Sequence, residues 1–533
     1  MTKRSLAGIA GIVAIATLIS KLFGLVRQQA LAAAFAIGPV ADAYGLSYVI
    51  PGFLVVLLGG INGPFHSAIV SVVSKRRRED IAPLVETITT LVGLGLLVLT
   101  VLIVIFADPI IGLLGRGFSE TSLGLESRAI AVVQLRIMAP MALFAGLIGI
   151  GFGALNAADQ YWLPSISPLF SSVSVVAGLG LLAATVGREM ITPEYAMLGG
   201  IVLAVGTLVG AILQWLIQVP TLIKEGLGRF RLRFNFQDPG VREVIKILGP
   251  ATFSSGMMQI NVYTDLFFAA FIPGTLAALG YANLLVQTPL GIISNVILVP
   301  FLPIFSRLAD PIHWDELKQR IRQSLLLTAL TMLPLSALFV TLALPMVRVI
   351  YERGAFDEDA SAMVTSVLIA YGVGMFVYLG RDVLVRVFYA LGDGDTPFRI
   401  SIVSIFFNAL LDYILINLFG APGLVLATVG VNVISMVAML VLLDRKINGL
   451  PWFDWARPVG LLFLASVVSG AAAFGTRLGL EQWVGTQGFF VNLLILCVAG
   501  AVGVGIFGGV AIALRIPEAT LLIERLKGKF LRR

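Results

Sequence analysis

The sequence is poor in the residues from which disulfides, metal centres and soluble surfaces are built. It contains one cysteine, Cys497, and two histidines, His66 and His313, among 533 residues. This leaves no material for a disulfide framework or a cysteine metal site, and it disfavours a histidine metal centre. Only 13% of the residues are charged, against about a quarter in ordinary soluble domains, while 58% are hydrophobic. We therefore predict an all-α polytopic membrane protein.

Motifs of energy-consuming enzymes are also missing. The sequence has no nucleophile–base pair, phosphate-cradling loop or nucleotide-binding motif, so it favours neither an enzyme nor an ATP-driven pump. The formal net charge of +7 does not indicate nucleic-acid binding, because the basic residues cluster in short loops between apolar runs. The run after Lys3 and Arg4 resembles a signal peptide, but no cleavage site and polar mature domain follow it. We interpret it as a retained first span.

What the sequence does contain is a series of apolar runs long enough to cross a bilayer, which needs about 20 residues. Fourteen spans are predicted, at 6–36, 42–73, 82–107, 128–156, 160–186, 195–223, 243–272, 276–306, 320–350, 360–391, 397–418, 422–443, 456–476 and 487–514. Of the 37 lysines and arginines, 26 lie at one set of span ends, six at the opposite set and five inside spans. This bias alternates along the chain and predicts cytoplasmic N and C termini.

A weak internal repeat aligns the first span with the seventh. Its two copies are Ala33-Ala34-Phe35 with Gly38, Tyr44 and Pro51, and Ala269-Ala270-Phe271 with Gly274, Tyr281 and Pro289. Six spans per copy predict two six-helix lobes in parallel repeat, with substrate between them. The predicted organisation is an N-lobe at 1–225, a cytoplasmic linker at 226–242, a C-lobe at 243–447, two further helices at 454–514 and a cytoplasmic tail at 515–533.

Two cations, Lys21 and Arg27, lie well inside the first span. A cation at membrane depth costs several kcal/mol unless it faces a partner or a water-filled cavity. One interpretation is that both side chains reach out to an interface. The other is a cationic cavity wall suited to an anionic substrate. Asp42, which opens the second span, either pairs with one of these cations or acts as an acid at a helix N-terminus.

Three more arginines lie within spans, namely Arg136, Arg381 and Arg386. Arg136 is a candidate for the cavity wall. Arg381 precedes Asp382, and we rate a structural pairing there above a substrate role. Arg386 is open to either interpretation.

Oxygen-bearing groups recur in the seventh, eleventh and twelfth spans. The set is Asp265, Asn408, Asp412 and Thr428, with Leu424 one helical turn before Thr428. Residues four apart share one helix face, and oxygen ligands suit a hard cation. The alternatives are hydrogen bonds between helices, proton carriage, or pairing of the two carboxylates with the arginines of the tenth span.

Four stretches carry a family resemblance that covers essentially the whole chain. They are LISKLFGLVRQQALAAAF at 18–35, GPFHSAIV at 63–70, GFGALNAADQYWLPSISPLF at 151–170 and RVFYALGDGDTPFRISIV at 386–403. They resemble the MurJ (MviN) family, the lipid II flippases of the multidrug/oligosaccharidyl-lipid/polysaccharide exporter superfamily. The resemblance implies a non-enzymatic transporter of the cytoplasmic membrane that serves peptidoglycan synthesis and cell shape. It would move lipid II by alternating access around a cationic cavity.

The resemblance also implies roles for particular residues. Arg27 matches an arginine that the family uses for the anionic head group, Lys21 matches a basic cavity position, and Asp42 matches an acidic one. The predicted sodium ligands are the side chains of Asp265, Asn408, Asp412 and Thr428 and the backbone carbonyl of Leu424. Spans thirteen and fourteen would form a groove for the polyprenyl tail. No cofactor other than Na⁺ is implied. The expected partners are lipid II, membrane lipids and the cell-wall synthesis machinery, with the chain as a monomer.

The sequence departs from the family at several positions, and three of these would be arginines in relatives. Val55 and Val56 stand where relatives carry adjacent arginines, and Leu284 stands where another arginine is common. Arg136, Arg381 and Arg386 are the candidates to replace them. Two other functions stay open at this point. One is an exporter of the same fold for another polyprenyl-linked saccharide or a small molecule, and the other is an envelope scaffold that does not transport.

Overall fold

The computed structural model describes residues 6–60, 64–228, 231–235 and 237–514, and every regular element within these ranges is helical. The prediction of an all-α chain is therefore confirmed. The predicted tail at 515–533 and part of the predicted linker lie outside the described residues. The chain forms two compact units: unit 1 is Met1–Ala277 with Gly354–Phe356, and unit 2 is Ala278–Arg353 with Asp357–Arg533.

Unit 1 begins with fourteen α-helices. They are α1 Leu6–Phe35, α2 Pro39–Ser47, α3 Val49–Gly59, α4 Pro64–Val73, α5 Arg78–Ile105, α6 Ala107–Leu114, α7 Ser122–Met138, α8 Met141–Ala157, α9 Trp162–Ile166, α10 Pro168–Val186, α11 Pro193–Leu216, α12 Val219–Lys224, α13 Pro239–Met258 and α14 Ile260–Ala269. Helix α15, Thr275–Arg307, begins in unit 1 and continues into unit 2.

Unit 2 contains the remaining seven α-helices. They are α16 Trp314–Thr341, α17 Ala343–Ile350, α18 Glu358–Ala390, α19 Asp395–Phe419, α20 Ala421–Lys446, α21 Trp452–Val484 and α22 Phe489–Ala513. Three short 3-10 helices complete the described elements, at Arg116–Glu120, Gly187–Ile191 and Pro311–His313.

Within the described residues, ten helices are long and apolar enough to cross a membrane, or twelve if each of two bent pairs is one span. The chain is thus a multi-pass membrane protein, while the count of fourteen spans stays a prediction. The bent pairs are α2 with α3 and α7 with α8, each bent by 41°. Proline explains both bends. Pro51 and Pro140 lack the N–H that would continue the helix, and their rings crowd the preceding turn.

Unit 1 is assembled around the glycine-rich helix α8, which packs against α3, α4 and α5. A Cβ on Gly149 would collide with the backbone carbonyl of Leu58, and one on Gly153 would lie 2.6 Å from Ile69 Cβ. Small residues therefore let the helix backbones approach closely, as is common between membrane helices. Helix α2 is fixed between α7 and α11 by buried hydrogen bonds. Ser47 Oγ donates to Gln134 Oε1 at 3.0 Å, and Gln134 Nε2 donates to the Gly200 carbonyl at 3.2 Å.

Unit 2 is organised around α18, which packs against α16 and α20, while α21 and α22 form a hairpin beside α16. Helix α19 packs on α20 and has an unusual distribution of residues. Its buried residues are Pro397, Ser404, Asn408 and Asp412. Its large apolar side chains, including Phe406 and Leu418, are exposed. A helix that turns its polar face into the protein and its apolar face outward is expected where lipid is the solvent.

Candidate functional site

Of the cations predicted in the first span, Arg27 has the more defined surroundings. It is partly buried and its guanidinium donates a hydrogen bond to Tyr48, close to Tyr44. The rings of Tyr44 and Tyr48 stack with centroids 5.4 Å apart, and Tyr44 Oη is 3.0 Å from Thr207 Oγ1. A stacked aromatic pair, from α2 and the junction of α2 with α3, therefore fixes the direction of the Arg27 side chain. The side chain of Lys21 is exposed.

The aromatic pair depends on a glycine one turn further along. A Cβ on Gly52 would lie 2.8 Å from Tyr48 Cζ and closer still to a neighbouring ring atom. Gly52 thus leaves the space that the Tyr48 ring occupies. Neither Arg27 nor Lys21 forms a salt bridge with another described residue. Both cations of α1 are therefore without a carboxylate partner in the described part of the chain.

Asp42, predicted to lie in the substrate cavity, is buried and holds a helix end. One of its carboxylate oxygens accepts the N–H of Gly274 at 2.5 Å, and the other accepts the N–H of Ala277 at 2.9 Å. The N–H of Leu276 also bonds to it. These groups form the first turn of α15, which has no acidic residue of its own. Asp42 therefore acts as a capping acid from a different helix, and it compensates the positive end of the α15 dipole.

The three arginines proposed to replace the missing family arginines lie in different surroundings. Arg136 is exposed in the last turn of α7. Arg381 is partly buried, 3.9 Å from Asp382 and within 3.4 Å of Ser401 Oγ. Arg386, one helical turn further along α18, is also partly buried. Their roles in substrate binding stay a prediction.

The three departures from the family differ in their surroundings. Val55 packs against the core formed by α3, α4, α5 and α8, whereas Val56 is 72% exposed. Leu284 is partly buried in α15.

The oxygen-bearing set is divided between the units. Asn408 and Asp412 are buried on one face of α19, and Asn408 Nδ2 donates to Asp412 Oδ2 at 2.8 Å. Thr428 Oγ1 donates to the Leu424 carbonyl at 3.3 Å on α20, the helix that packs against α19. Unit 2 thus brings four of the five predicted ligands onto two adjacent helices. Asp265 lies on α14 in unit 1.

A polar pair in unit 2 extends this face and was missed by sequence reasoning. Ser404 Oγ lies 2.8 Å from Ser435 Oγ, joining α19 to α20, and both side chains are buried. Ser404 is four residues before Asn408, so the spacing of four that links Asn408 to Asp412 extends to it. That spacing was the available signal, but serine is common in membrane helices and carries little information alone.

Outside the spans, the most distinctive sequence motif contains a fixed turn. Asp393 accepts the N–H of Thr396 at 2.9 Å, the hydroxyl of Thr396 at 2.8 Å and the ammonium of Lys446 at 2.9 Å. Burial alone would raise the pKa of Asp393, but the hydrogen bonds from Lys446 and Thr396 lower it below its ordinary value of 3.8. The turn between α18 and α19 is thereby tied to the end of α20.

The described residues contain no group of three or more histidine, cysteine, aspartate or glutamate side chains that could hold a metal ion. The oxygen set of unit 2 is of a different kind, since it combines one carboxylate with an amide, a hydroxyl and a backbone carbonyl. Such mixed oxygen donors suit a hard, weakly charged cation better than a transition metal.

Comparison with known proteins gives relatives along the full length of the chain. A protein of Synechocystis sp. named "Probable lipid II flippase MurJ" is 56% identical over 533 residues, which are 100% of this chain and 99% of that protein. A protein of Vibrio cholerae serotype O1 with the same name is 28% identical over 515 residues, or 94% of each chain.

Solved structures show the same fold. The structure described as "Lipid II flippase MurJ, inward closed conformation" matches with a TM-score of 0.71 at 23% identity, over 93% of this chain and 98% of that one. An inward-facing multidrug resistance MATE family transporter of the MOP superfamily matches with a TM-score of 0.63 at 15% identity, over 82% and 98% of the two chains. The family described as "Lipid II flippase MurJ" matches residues 31–495. The chain therefore belongs to the MurJ family.

Proposed function

We propose that this chain is a lipid II flippase that carries the lipid-linked peptidoglycan precursor from the inner to the outer leaflet of the cytoplasmic membrane by alternating access. Family membership along nearly the whole chain supports this function. The observation in the structure that carries it is Arg27, a cation in the first helix whose side chain is directed by Tyr48 and has no carboxylate partner among the described residues.

The chemistry of Arg27 suits the head group of such a substrate. A guanidinium presents a planar pair of donors that binds phosphate oxygens in a bidentate manner, and it stays charged at all physiological pH values. Tyr48 reduces the number of orientations that the guanidinium samples before substrate arrives. Less conformational entropy is then lost on binding. Lys21, six residues earlier on α1, would add a second positive charge.

The architecture proposed for this function has fourteen spans with both termini in the cytoplasm. Residues 1–225 and 243–447 form the two lobes, 226–242 form the linker, and 454–514 form a groove for the polyprenyl tail. The hairpin of α21 and α22 supports the last assignment, because it exposes large apolar side chains such as Phe463, Val467 and Phe490.

Sodium is proposed as the coupling ion. The residues that would hold it are Asn408, Asp412 and Thr428, with the Leu424 carbonyl, and Asp265 from α14. The chemistry of this donor set fits Na⁺, because every donor is an oxygen and the set carries few charges. Within unit 2, the buried hydrogen bond from Asn408 to Asp412 keeps the carboxylate orientated along the face of α19 that meets α20.

The function is tested by the exposure of lipid II on the outer leaflet. In cells depleted of the protein, an extracytoplasmic enzyme that cleaves only exposed head groups should find little lipid II while total lipid II rises. Wild-type protein should restore exposure, and Arg27→Ala should fail to restore it at equal membrane abundance. Arg128→Ala is the matched control, because Arg128 pairs with Asp108 at an exposed site. Restoration by Arg27→Ala at the wild-type level would contradict the role of Arg27.

The sodium site is tested on purified protein by thermal unfolding with and without Na⁺ at constant ionic strength, with K⁺ as the replacement ion. We expect Na⁺ to raise the apparent melting temperature of the wild type, and Asp412→Asn and Asp265→Asn to abolish the rise. Asp108→Asn, which alters an exposed carboxylate, should leave it intact. An equal rise in all four proteins would mean that the ion binds elsewhere.

A second candidate function is export of another polyprenyl-linked saccharide. The apolar residues Val55, Val56 and Leu284 favour it, because they reduce the number of cations available to a pyrophosphate. Under this alternative, depletion of the protein leaves lipid II exposure unchanged while a different lipid-linked saccharide accumulates.

A further inference from the structure

Unit 1 contains a groove that neither the cationic residues nor the oxygen set explains. It has a volume of about 460 Å³, within the usual range for small-molecule sites. Its walls are one face of α5, the middle of α8, the end of α11, helix α12 and the segment that follows α12. We call it the α5–α8 groove. On α5, its lining residues include Val85, Thr89, Gly93 and Leu97, each four residues after the last, which places them along a single face.

The α5–α8 groove has the length of one membrane leaflet. From Glu86 to Leu97, α5 rises about 16 Å at 1.5 Å per residue. The hydrocarbon of one leaflet is about 15 Å thick, half of the bilayer core. Leu94 and Leu97 are 44% and 46% exposed, and they begin an exposed apolar stripe that continues through Val101 and Ile105. The groove therefore opens toward the lipid hydrocarbon along its apolar part.

The opposite end of the α5–α8 groove is polar and closed by the segment after α12. The buried carboxylate of Glu86 pairs with Arg233 at 2.9 Å, and the backbone N–H of Arg233 donates to Thr90 Oγ1 at 3.1 Å. These two contacts hold the segment against α5. Because Arg233 compensates Glu86, the charge left at this end is that of Arg231, which lines the groove and is exposed.

The surroundings of Arg231 are typical of a membrane interface. Leu232 and Phe234 are 78% and 60% exposed and alternate with the arginines of the segment. Lys224, at the end of α12, is exposed as well, and so is Lys75 after α4, although Lys75 pairs with Glu243 at 3.4 Å. Such a concentration of cations attracts anionic lipid head groups, at about 1 kcal/mol for each cation near the surface.

We propose that the α5–α8 groove binds an anionic glycerophospholipid of the surrounding leaflet, with one acyl chain along α5 and α8 and the phosphate at Arg231. The apolar length accounts for the chain, and Arg231, a groove-lining cation outside the salt bridges of the described residues, accounts for the anionic head group. Bound lipid would cover the apolar wall beneath the Arg231–Asn235 segment and add to the contacts that Glu86 and Thr90 make with it. This binding does not depend on which substrate the protein transports.

Native mass spectrometry of the purified full-length protein tests the proposal with phosphatidylglycerol and phosphatidylcholine of identical acyl chains. We expect the wild type to retain one phosphatidylglycerol in preference to phosphatidylcholine. Arg231→Ala should weaken phosphatidylglycerol retention about five-fold and remove the preference. Gly93→Leu should weaken retention of both lipids, because a Cβ at Gly93 has only Leu143 nearby, at 3.8 Å, and a larger side chain would extend into the groove.

Two controls match these variants. Lys224→Ala removes an exposed cation that does not line the groove, and Gly95→Leu adds the same side chain to α5 where a Cβ would meet nothing within 4 Å. Both should retain lipid like the wild type. If Gly93→Leu does not fold, Leu97→Trp obstructs the same wall from an exposed position.

Several outcomes would overturn the proposal. Equal retention of both lipids by the wild type would remove the head-group preference, and an equal loss in Lys224→Ala and Arg231→Ala would indicate diffuse attraction instead of a site. Displacement of the bound lipid by glycerol 3-phosphate alone would show that the groove takes a soluble phosphate. Displacement by equimolar lipid II would show that the groove belongs to the transport pathway.

Discussion

The capping of α15 by Asp42 gives a prediction that separates a structural role from a substrate role. Asp42→Ala removes the acceptor of the N–H groups of Gly274 and Ala277, which are buried with it. An unsatisfied buried N–H costs about 1 to 3 kcal/mol, so the loss of the acceptor for Gly274 and Ala277 alone, leaving Leu276 aside, lowers the free energy of unfolding by about 2 to 6 kcal/mol. Loss of the negative charge at the α15 N-terminus adds to this, by about 0.3 to 1 kcal/mol.

Asp42→Asn should lower the free energy of unfolding less than Asp42→Ala does. The amide keeps one oxygen acceptor of similar size, but its NH₂ group faces an N–H that it cannot bond. About half of the loss, on the order of 1 to 3 kcal/mol, is therefore expected. Asp108→Ala is the control, because the exposed pair of Asp108 with Arg128 at 3.0 Å should contribute less than about 1 kcal/mol.

The assay is reversible unfolding of the purified proteins in mixed lipid and detergent micelles, with lipid II exposure measured in parallel in cells. We expect the order of stability to be wild type, Asp108→Ala, Asp42→Asn and Asp42→Ala, from highest to lowest. If Asp42→Ala is as stable as Asp108→Ala but does not support lipid II exposure, the capping argument is wrong and Asp42 acts on the substrate.

Two further predictions concern the close contact of α8 and the turn before α19. Gly149→Ala should destabilise the protein by about 1 to 3 kcal/mol, because its Cβ would lie 2.8 Å from the Leu58 carbonyl carbon, whereas Gly180→Ala meets nothing within 4 Å and should be neutral or slightly stabilising. Asp393 has a pKa below 3.8 in the folded protein, so its contribution to stability is complete above the unfolded pKa and is lost as the pH falls through the folded pKa. Asp393→Asn should therefore flatten the acid limb of the melting temperature measured from pH 6 to about pH 3, and an unchanged limb would exclude this turn as its source.

The helices could be predicted from the sequence because long apolar runs indicate membrane spans. The breaks within these helices were harder to predict. The apolar run at 42–73 predicts one span, but the structure has α2, α3 and α4 there. The run at 128–156 contains the bend between α7 and α8. Hydropathy averages over side chains and does not register a missing backbone N–H, although Pro51 and Pro140 marked both bends.

In the candidate site, the charged side chains within apolar runs could be predicted from the sequence, but their hydrogen-bond partners could not. Asp42 is conspicuous because a carboxylate beside an apolar run is costly, but its partners are backbone N–H groups 232 and 235 residues away. Backbone groups have no residue-type signature, so no motif points to them. Tyr48 could not be predicted as the partner of Arg27 for a different reason: tyrosine is a common residue at membrane interfaces, so its presence does not indicate a hydrogen bond to a cation.

The residues that α19 buries support the proposed cation site. The helix buries Ser404, Asn408 and Asp412 against its neighbours and leaves Phe406 and Leu418 outside. Apolar side chains of similar volume would fill this buried face without desolvating a carboxylate, and such replacements are often neutral or stabilising. Folding alone therefore gives no reason to keep Asp412 here. The gathering of oxygen atoms on two adjacent helices is what we expect if the proposed cation binds here during transport.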